Sequence, residues 1–171
     1  MKEIQLTQGK VALVDDEDFE RLNQFHWLAV KHGHNLWYAM RHGKKVNGRQ
    51  PSFYLHRDIL NAPKGIKCDH KDCDGLNNQR ANLRLCTDLE NARNIRPQTR
   101  KLTSVFKGVH FRKDRGKWRV LIRYNGKQKY VGSFHTENEA AEAYNQKALE
   151  NFGQFARLNV LPKELARCLN S

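Results

Sequence analysis

Short segments of alternating or aromatic residues, separated by glycine-containing turns, make up the first third of the chain. GKVALVD alternates weakly and predicts a strand, while DEDFERLNQF predicts a short helix, because Phe19 and Leu22 recur at helical spacing behind an Asp-rich start. The aromatic segments WLAVKHG, LWYAMRH and SFYLH predict a small antiparallel sheet. HRDILNAPKG predicts a brief helical turn that ends at Pro63 and Gly65.

The next stretch combines two short apolar segments with a long polar loop. CDH and LRLC are typical of short strands, and they lie on either side of the loop KDCDGLNNQRAN. TDLENARNIR predicts a helix that begins at a capping box, Thr87 with Glu90, and is closed by Pro97. The predicted order is therefore strand, loop, strand, helix.

The last third of the chain predicts three strands and one helix. SVFKGVHFRK is the first strand, and in the second, KWRVLIRY, alternation separates two faces. The apolar face holds Trp118, Val120, Ile122 and Tyr124, and the mostly cationic face holds Lys117, Arg119, Leu121 and Arg123. The pair Asn125 and Gly126 is a strong hairpin signal before the return strand QKYVGSF. A second capping box, Thr136 with Glu139, begins a helix that Gly153 ends.

These patterns predict an α+β protein of two small domains, for which 171 residues are sufficient. We expect a first domain over 1–96, a linker over 97–104, a second domain over 105–160 and a tail over 161–171. The linker is placed at PQTRKLTS because Pro97 ends the preceding helix and polar residues follow it.

Charge narrows the class of partner. The chain has 31 Lys and Arg against 18 Asp and Glu, a net charge of +13, which favours a polyanion and nucleic acid first. No apolar run approaches the roughly 18 residues of a spanning helix, and the N-terminus lacks the apolar segment of a secretory signal. We therefore expect a cytoplasmic protein without a membrane partner. The four cysteines form no C-x-x-C pair, which favours reduced thiols over disulfides or a structural zinc site.

The charge is unevenly spread. Residues 97–135 contain eleven Lys and Arg and a single acid, Asp114, whereas the helix that follows is acidic. A cationic sheet backed by an acidic helix is suited to face DNA phosphates, and Arg side chains on such a sheet can read base edges in the major groove.

Four polar residues around the loop could carry phosphodiester chemistry. Asp69 and Asn91 offer oxygen ligands of the kind that magnesium prefers, and His70 offers an imidazole that can activate water. Asn82 adds a further amide. Adjacent strand residues point to opposite faces, so Asp69 and His70 can share a site only if the strand bends or ends there. The same residue types are also common in turns and caps.

The succession LHRDIL, DH, NNQRANLR and TDLENARN closely resembles the HNH homing endonucleases, which have a ββα-metal fold. The resemblance covers about 55–96. It implies that Asp69 binds the metal, that His70 is the general base, that Asn82 orients His70, and that Asn91 is the second metal ligand at a position where many relatives have His. His56 and Arg57 match a further element of the family, which implies a contact either with DNA or within the protein, and Asn94, one turn past Asn91, is expected to cap or brace it.

Residues of about 104–160 resemble the Apetala-two or ethylene-response-factor DNA-binding domain of plants. The similarity rests on FKGVHF, KWRVLIR, YVGSFHTENEAAEAYNQKA and FGQFARLN, in that order. By position, the residues implied to contact DNA are Lys107, His110, Arg123, Gln128 and Tyr130, and the cationic pattern adds Arg112 and Arg119. Where plant relatives often have Arg, this chain has His110 and Gln128, so we expect a different base sequence to be recognised.

Together these observations predict a mobile-element HNH endonuclease that hydrolyses double-stranded DNA with Mg²⁺ or Mn²⁺. The second domain would place the nuclease on its target, and we expect a monomer on DNA with no protein partner. With one HNH motif per chain, a monomer would most simply nick one strand. The alternatives are a sequence-specific DNA-binding regulator with an inactive HNH remnant, and an RNA-binding protein, which is disfavoured because the aromatic residues alternate toward the presumed core.

Overall fold

The computed structural model describes residues 1–33, 36–95 and 103–162. Most of the predicted linker, 97–102, and most of the predicted tail, 163–171, lie outside the described residues, as do His34 and Cys168. The described chain is mixed α+β, as predicted. It divides into two compact units, Met1–Asn91 and Ala92–Ser171, and each is considered by itself. No helix in the described ranges is long and apolar enough to cross a membrane.

The first unit is built from short strands and helices. In chain order its elements are β1 (Lys2–Gln5), β2 (Val11–Val14), α1 (Asp16–Leu22), β3 (Leu28–His32), β4 (Leu36–His42), β5 (Ser52–Tyr54), α2 (Leu55–Leu60), β6 (Lys67–His70), β7 (Leu83–Cys86) and the start of α3 (Asp88–Asn94). The predicted order of strand, loop, strand and helix is confirmed in β6, β7 and α3. Strand β1 was not predicted, because only Ile4 of its four side chains is buried and no alternation is visible.

All strand pairs of the first unit are antiparallel. β1 pairs with β2, β3 with β4, β4 with β5, and β6 with β7. The aromatic segments therefore form the predicted three-stranded sheet, in the order β3-β4-β5. In the β6–β7 pair, Asp69 lies opposite Arg84 and His70 lies opposite Leu83.

One apolar core joins the elements of the first unit. Its fully buried members include Trp27, Leu22, Leu55 and Ile59, and Leu83 of β7 belongs to the same cluster. The indole Nε1 of Trp27 donates to the Leu22 carbonyl at 2.8 Å, so the largest core residue has its polar atom satisfied. The β6–β7 pair is thus anchored to the rest of the unit through the core.

The second unit contains the predicted three strands and one helix. Its elements are β8 (Val109–Arg112), β9 (Lys117–Tyr124), β10 (Lys127–Phe134) and α4 (Glu137–Phe152). The sheet order is β10-β9-β8, and the turn residues Asn125 and Gly126 both have the positive φ that a tight hairpin requires. The capping box of Thr136 and Glu139 is present at the start of α4. Val120 and Ile122 pack against Ala141 of this helix, which confirms the predicted core face.

Candidate functional site

Asp69 and His70 are the last two residues of strand β6, and both are buried, with 6% and 5% of their surface exposed. The strand ends at His70, which meets the condition under which these two neighbours can share one site. The polar loop of residues 71–82 begins immediately after it and returns the chain to β7. The site is therefore set at the end of a hydrogen-bonded strand pair rather than on an isolated loop.

The strand register places the guanidinium of Arg84 against the Asp69 carboxylate. Arg84 faces Asp69 across the β6–β7 pair, and its Nε donates to Asp69 Oδ2 at 2.8 Å while Nη2 donates to the same oxygen at 2.5 Å. Both side chains are about nine-tenths buried, with 7% and 10% exposed. Loss of Arg84 would leave a buried carboxylate without this counter-charge, which is costly in a low-dielectric interior. The sequence pattern did not single out Arg84, although pairing CDH with LRLC would have placed it opposite Asp69.

The imidazole of His70 is held by Asn78. Its Nε2 lies 3.3 Å from Oδ1 of Asn78, which is completely buried. The amide nitrogen of Asn78 donates to the carbonyls of Leu76 at 3.0 Å and Gly75 at 3.4 Å, so the side-chain oxygen is the atom that faces the histidine. A carbonyl oxygen can only accept, and Nε2 therefore carries the proton. Neutral His70 consequently has its acceptor lone pair on Nδ1.

Burial keeps His70 in the base form. Desolvation lowers the pKa of His70, and this effect outweighs the hydrogen bond that His70 donates to Asn78 and the charges of Asp72 and Asp69, which raise the pKa. The imidazole is therefore neutral at neutral pH. A neutral imidazole with a defined tautomer is the state in which a histidine accepts a proton from water.

Asn82 holds the loop rather than the histidine. Its Nδ2 donates to Asp72 Oδ1 at 2.9 Å and to the Asn77 carbonyl at 2.8 Å, and its Oδ1 accepts from the Asp72 amide at 3.1 Å. The prediction that Asn82 directly orients His70 is corrected by these contacts, because the imidazole donates its hydrogen bond to Asn78 instead. Asn82 acts one step away, by closing the loop that carries Asn78.

The loop is also fixed to the body of the first unit. The backbone amide of Asn78 donates to the Leu13 carbonyl at 2.8 Å, and the backbone amide of Leu13 donates to the Leu76 carbonyl at 2.9 Å. The loop therefore pairs with β2. Arg80 forms a forked hydrogen bond to the buried carboxylate of Asp18 on α1, with distances of 2.7 and 2.9 Å. The residues that position His70 are thus held from both sides of the loop.

Three aromatic rings, including that of the candidate general base His70, pack against one another. The centroid of His70 lies 5.0 Å from that of His56 and 5.7 Å from that of Tyr38, and His56 and Tyr38 are 5.5 Å apart. His56 is 9% exposed, and its buried Nδ1 has no hydrogen-bond partner in the described part of the chain. Burial, with smaller contributions from the charges of His70 and Arg57, lowers the pKa of His56 to about 3. His56 is therefore a neutral packing partner of the base and is too buried to contact DNA directly.

Arg57 has a structural position. Its guanidinium donates to the carbonyls of Ile66 at 2.6 Å, Pro63 at 2.8 Å and Ala62 at 3.2 Å. These bonds hold the turn that follows α2 and leads into β6. Of the two roles left open for Arg57, contact with DNA or with the protein, the structure shows the second.

The predicted second metal ligand lies on α3. Asn91 is half-buried, and its carboxamide makes no hydrogen bond within the described residues. Asn94, one turn further along, is buried with 3% exposed.

Across residues 1–33, 36–95 and 103–162 no group of three or more His, Cys, Asp or Glu side chains is placed to hold a metal ion. A site here would depend on the Asp69 carboxylate and the Asn91 carboxamide. Both are hard oxygen donors, so they fit a cation such as Mg²⁺ that keeps most of its waters.

The second unit presents a polar sheet face away from α4. His110 lies opposite Arg119, and Arg123 lies opposite Gln128, in the β8–β9 and β9–β10 pairs. Alternation puts these residues on the face opposite Val109, Val120 and Ile122, which pack in the core. The same face carries Arg112 and Tyr130. Six of the seven predicted DNA-contacting residues therefore share one surface.

These side chains differ in their exposure and in the hydrogen bonds and ion pairs that they form. Arg123 and Gln128 are exposed and form no side-chain hydrogen bond in the described part of the second unit. Arg112 is paired with Asp114 through two bonds of 2.7 and 2.8 Å, and the buried Nε of Arg119 has no hydrogen-bond partner among described atoms. Lys107 precedes the sheet, and its ammonium donates to backbone carbonyls, at 2.5 Å in the case of Arg93. Among the residues predicted to contact DNA, Arg123 is thus the cation on this face that is most available to a ligand.

Residues 61–93, which span β6, the loop, β7 and most of α3, match the family described as HNH endonuclease. An uncharacterized HNH endonuclease of Acanthamoeba polyphaga mimivirus is 33% identical over 129 residues, which cover 72% of this chain and 66% of the relative. Protein 3.8 of Escherichia phage T7 is 37% identical over 95 residues, which cover 56% of this chain and 77% of that protein.

A plant protein shares a shorter region. APETALA2-like protein 2 of Oryza sativa is 37% identical over 68 residues, which cover 40% of this chain and 16% of the rice protein. No solved structure matches the chain. The chain thus spans just under two thirds of the mimivirus relative and a small part of the rice protein.

The low pKa of His56 makes a prediction about acid stability. The unfolded chain protonates His56 below its ordinary pKa of 6.5, whereas the folded chain does so only near pH 3. Between these two values protonation favours the unfolded chain, so the free energy of unfolding is highest above pH 6.5 and falls as the pH drops toward 3. His56→Phe keeps a buried ring and removes the titrating group. Between about pH 7 and about pH 5 we expect the variant to lose about 2 kcal/mol less stability than the wild type, as measured by urea unfolding.

The matched control is His26→Phe, which replaces an exposed histidine. This variant should keep the full pH dependence of the wild type. Equal losses of stability in wild type and His56→Phe would show that His56 is not buried in the neutral form.

Proposed function

We propose that this chain, whose residues 61–93 match the HNH endonuclease family and which is similar to a mimivirus HNH endonuclease, is a metal-dependent DNA endonuclease of the homing type that hydrolyses phosphodiester bonds in double-stranded DNA. The observation that carries this proposal is the buried, neutral His70, whose tautomer is set by Asn78 and whose imidazole feels the charge of Asp69, the preceding residue at the end of β6. This pair lies inside the segment that matches the family.

In the proposed reaction His70 is the general base. Its Nδ1 accepts a proton from a water molecule, the water oxygen forms a new bond to phosphorus, and one backbone P–O bond breaks. The Nε2–H bond to Asn78 keeps Nδ1 unprotonated before the step. The charges of Asp69 and Asp72 favour the imidazolium that forms, since both raise the pKa of His70.

Asp69 and Asn91 would hold the divalent cation, Mg²⁺ or Mn²⁺. When bound, such an ion stabilises negative charge on the scissile phosphate and on the leaving oxygen. Arg84 shares the Asp69 carboxylate through Oδ2 and keeps it in place on β6. Arg84 is therefore a positioning residue for the ligand rather than a substitute for the ion.

We further propose that the second unit positions the nuclease on DNA. The support is the polar face of β8, β9 and β10, where His110, Arg119 and Arg123 lie together with Gln128 and Tyr130. Partial similarity to a rice protein named APETALA2-like agrees with this assignment. In this arrangement the sheet supplies affinity and sequence preference, while β6 and α3 supply the chemistry.

The nuclease assignment is tested with His70→Ala and supercoiled plasmid under saturating Mg²⁺. The loss of a general base should slow cleavage by about 10²–10⁴-fold, with DNA affinity nearly unchanged. Asp69→Ala should also lose activity and its dependence on metal. Open circles would indicate nicking, and linear DNA would indicate double-strand cleavage.

The control for this experiment is His42→Ala, since His42 is an exposed histidine of the same unit and lies outside the site. It should cleave at the wild-type rate. Wild-type rates in both His70→Ala and Asp69→Ala would remove the site assignment.

The positioning role is tested with Arg123→Ala. If Arg123 contacts a phosphate, its loss should lower the slope of log K against log salt by about 0.9 on every duplex. If it reads a guanine, the loss should cost about 1–3 kcal/mol, mainly on the preferred sequence. Gel shifts on specific and scrambled duplexes at several salt concentrations separate the two roles.

Lys147→Ala is the comparison, because Lys147 lies on α4 and is paired with Glu150. It should leave both slope and sequence preference unchanged. Arg123→Ala binding that is indistinguishable from Lys147→Ala binding would argue against the sheet as the DNA-contacting surface.

A further inference from the structure

One long region of the first unit contains no acidic residue. Between Glu20 and Asp58 the chain has no Asp or Glu, and the Lys and Arg of this region are Arg21, Lys31, Arg41, Lys44, Lys45, Arg49 and Arg57. The region includes the whole β3-β4-β5 sheet. Any cation here that needs an acidic partner must find one outside the region.

Some of these cations are engaged within the fold. Arg21 pairs with Asp18 at 2.8 Å, Arg41 pairs with Asp58 at 2.9 Å, and Arg57 donates to the backbone. Lys31 lies on β3 over the Trp37 ring. The remaining three gather where β4 turns back into β5. Lys44, Lys45 and Arg49 are exposed and form no ion pair or side-chain hydrogen bond within the described residues. We call residues 43–51 the basic hairpin.

The basic hairpin has a defined shape. The Gly43 amide donates to the Pro51 carbonyl at 2.8 Å, and Val46 and Arg49 exchange two backbone bonds of 2.8 and 2.9 Å. Asn47 and Gly48 at its tip have φ values of 48° and 76°, as a tight two-residue turn requires. The cations are thus presented on a preformed ladder, which lowers the entropy cost of binding.

The hairpin extends from the strands that pack on the candidate base. Tyr38 of β4 contacts the rings of His56 and His70. At about 3.3 Å per residue, the eight residues from Tyr38 to Val46 span at most about 26 Å. This is less than one turn of B-DNA, about 34 Å. A scissile phosphate placed at His70 would therefore lie within about one helical turn of the hairpin.

We propose that the basic hairpin is a second DNA-contacting element, located in the nuclease unit itself, that binds backbone phosphates within one helical turn of the scissile bond. This inference rests on the proposed function. Duplex DNA presents one negative charge per about 1.7 Å of its axis, and the acid-free region offers no competing carboxylate. The contact would be independent of sequence, because Lys side chains bind phosphates as point charges.

The test is the triple variant Lys44→Ala, Lys45→Ala, Arg49→Ala in the full chain. Binding to a random-sequence duplex of about three turns is measured without divalent metal at several salt concentrations. Each lost phosphate contact lowers the slope of log K against log salt by about 0.9, so we expect a decrease of about 2–3. The matched control is Lys2→Ala, Lys64→Ala, Lys147→Ala, which removes the same charge from three other surface positions. Its slope should stay near that of the wild type.

The outcomes separate this inference from the proposed function. A wild-type slope in the hairpin variant overturns the inference, and so does an equal fall in both triple variants, which would report net charge alone. Plasmid cleavage by the wild type is measured in parallel with Mg²⁺. If the wild type neither binds nor cleaves duplex DNA, the proposed function fails and the hairpin inference fails with it. If the wild type does both and only the hairpin variant has the lower slope, the inference is supported.

Discussion

The candidate site depends on one constraint, which is that the completely buried side chain of Asn78 must satisfy both its amide nitrogen and its oxygen inside the protein. Its nitrogen is used by the carbonyls of Gly75 and Leu76, which leaves the oxygen for His70. Because that oxygen can only accept, the histidine is restricted to one neutral tautomer. The bonds of Asn82 to Asp72 and Asn77 and the pairing of the loop with β2 serve to keep Asn78 where this constraint operates.

Opposing electrostatic effects then adjust the strength of the base. Burial against Tyr38 and His56 lowers the pKa of His70, while nearby carboxylates raise it. The first effect keeps the imidazole neutral and ready to accept a proton, and the second stabilises the cation produced when it does. Carboxylates alone would raise the pKa of the histidine and favour its protonated form, whereas the rings alone would lower the pKa and give a weaker base.

Much of this arrangement follows from local sequence patterns. The strand, loop, strand, helix order, the two capping boxes and the core face of KWRVLIRY are all confirmed, because each depends on residues close together in the chain. The positions of Asp69 and His70 at a strand end were predictable for the same reason. The partner of His70 was not, since Asn77, Asn78 and Asn82 are chemically alike and only the path of the loop decides which one meets the imidazole. His56 approaches His70 from a separate helix, α2, and no local pattern records that contact.

Whether Asn78 fixes the tautomer of the base is tested most directly by the nitrogen-15 NMR spectrum of the His70 imidazole at neutral pH. We expect a proton on Nε2 and an unprotonated Nδ1 in the wild-type protein, with this fixed pattern lost in Asn78→Leu. A proton on Nδ1 in the wild type, a fully protonated imidazolium, or an Asn78→Leu spectrum identical to that of the wild type would contradict it.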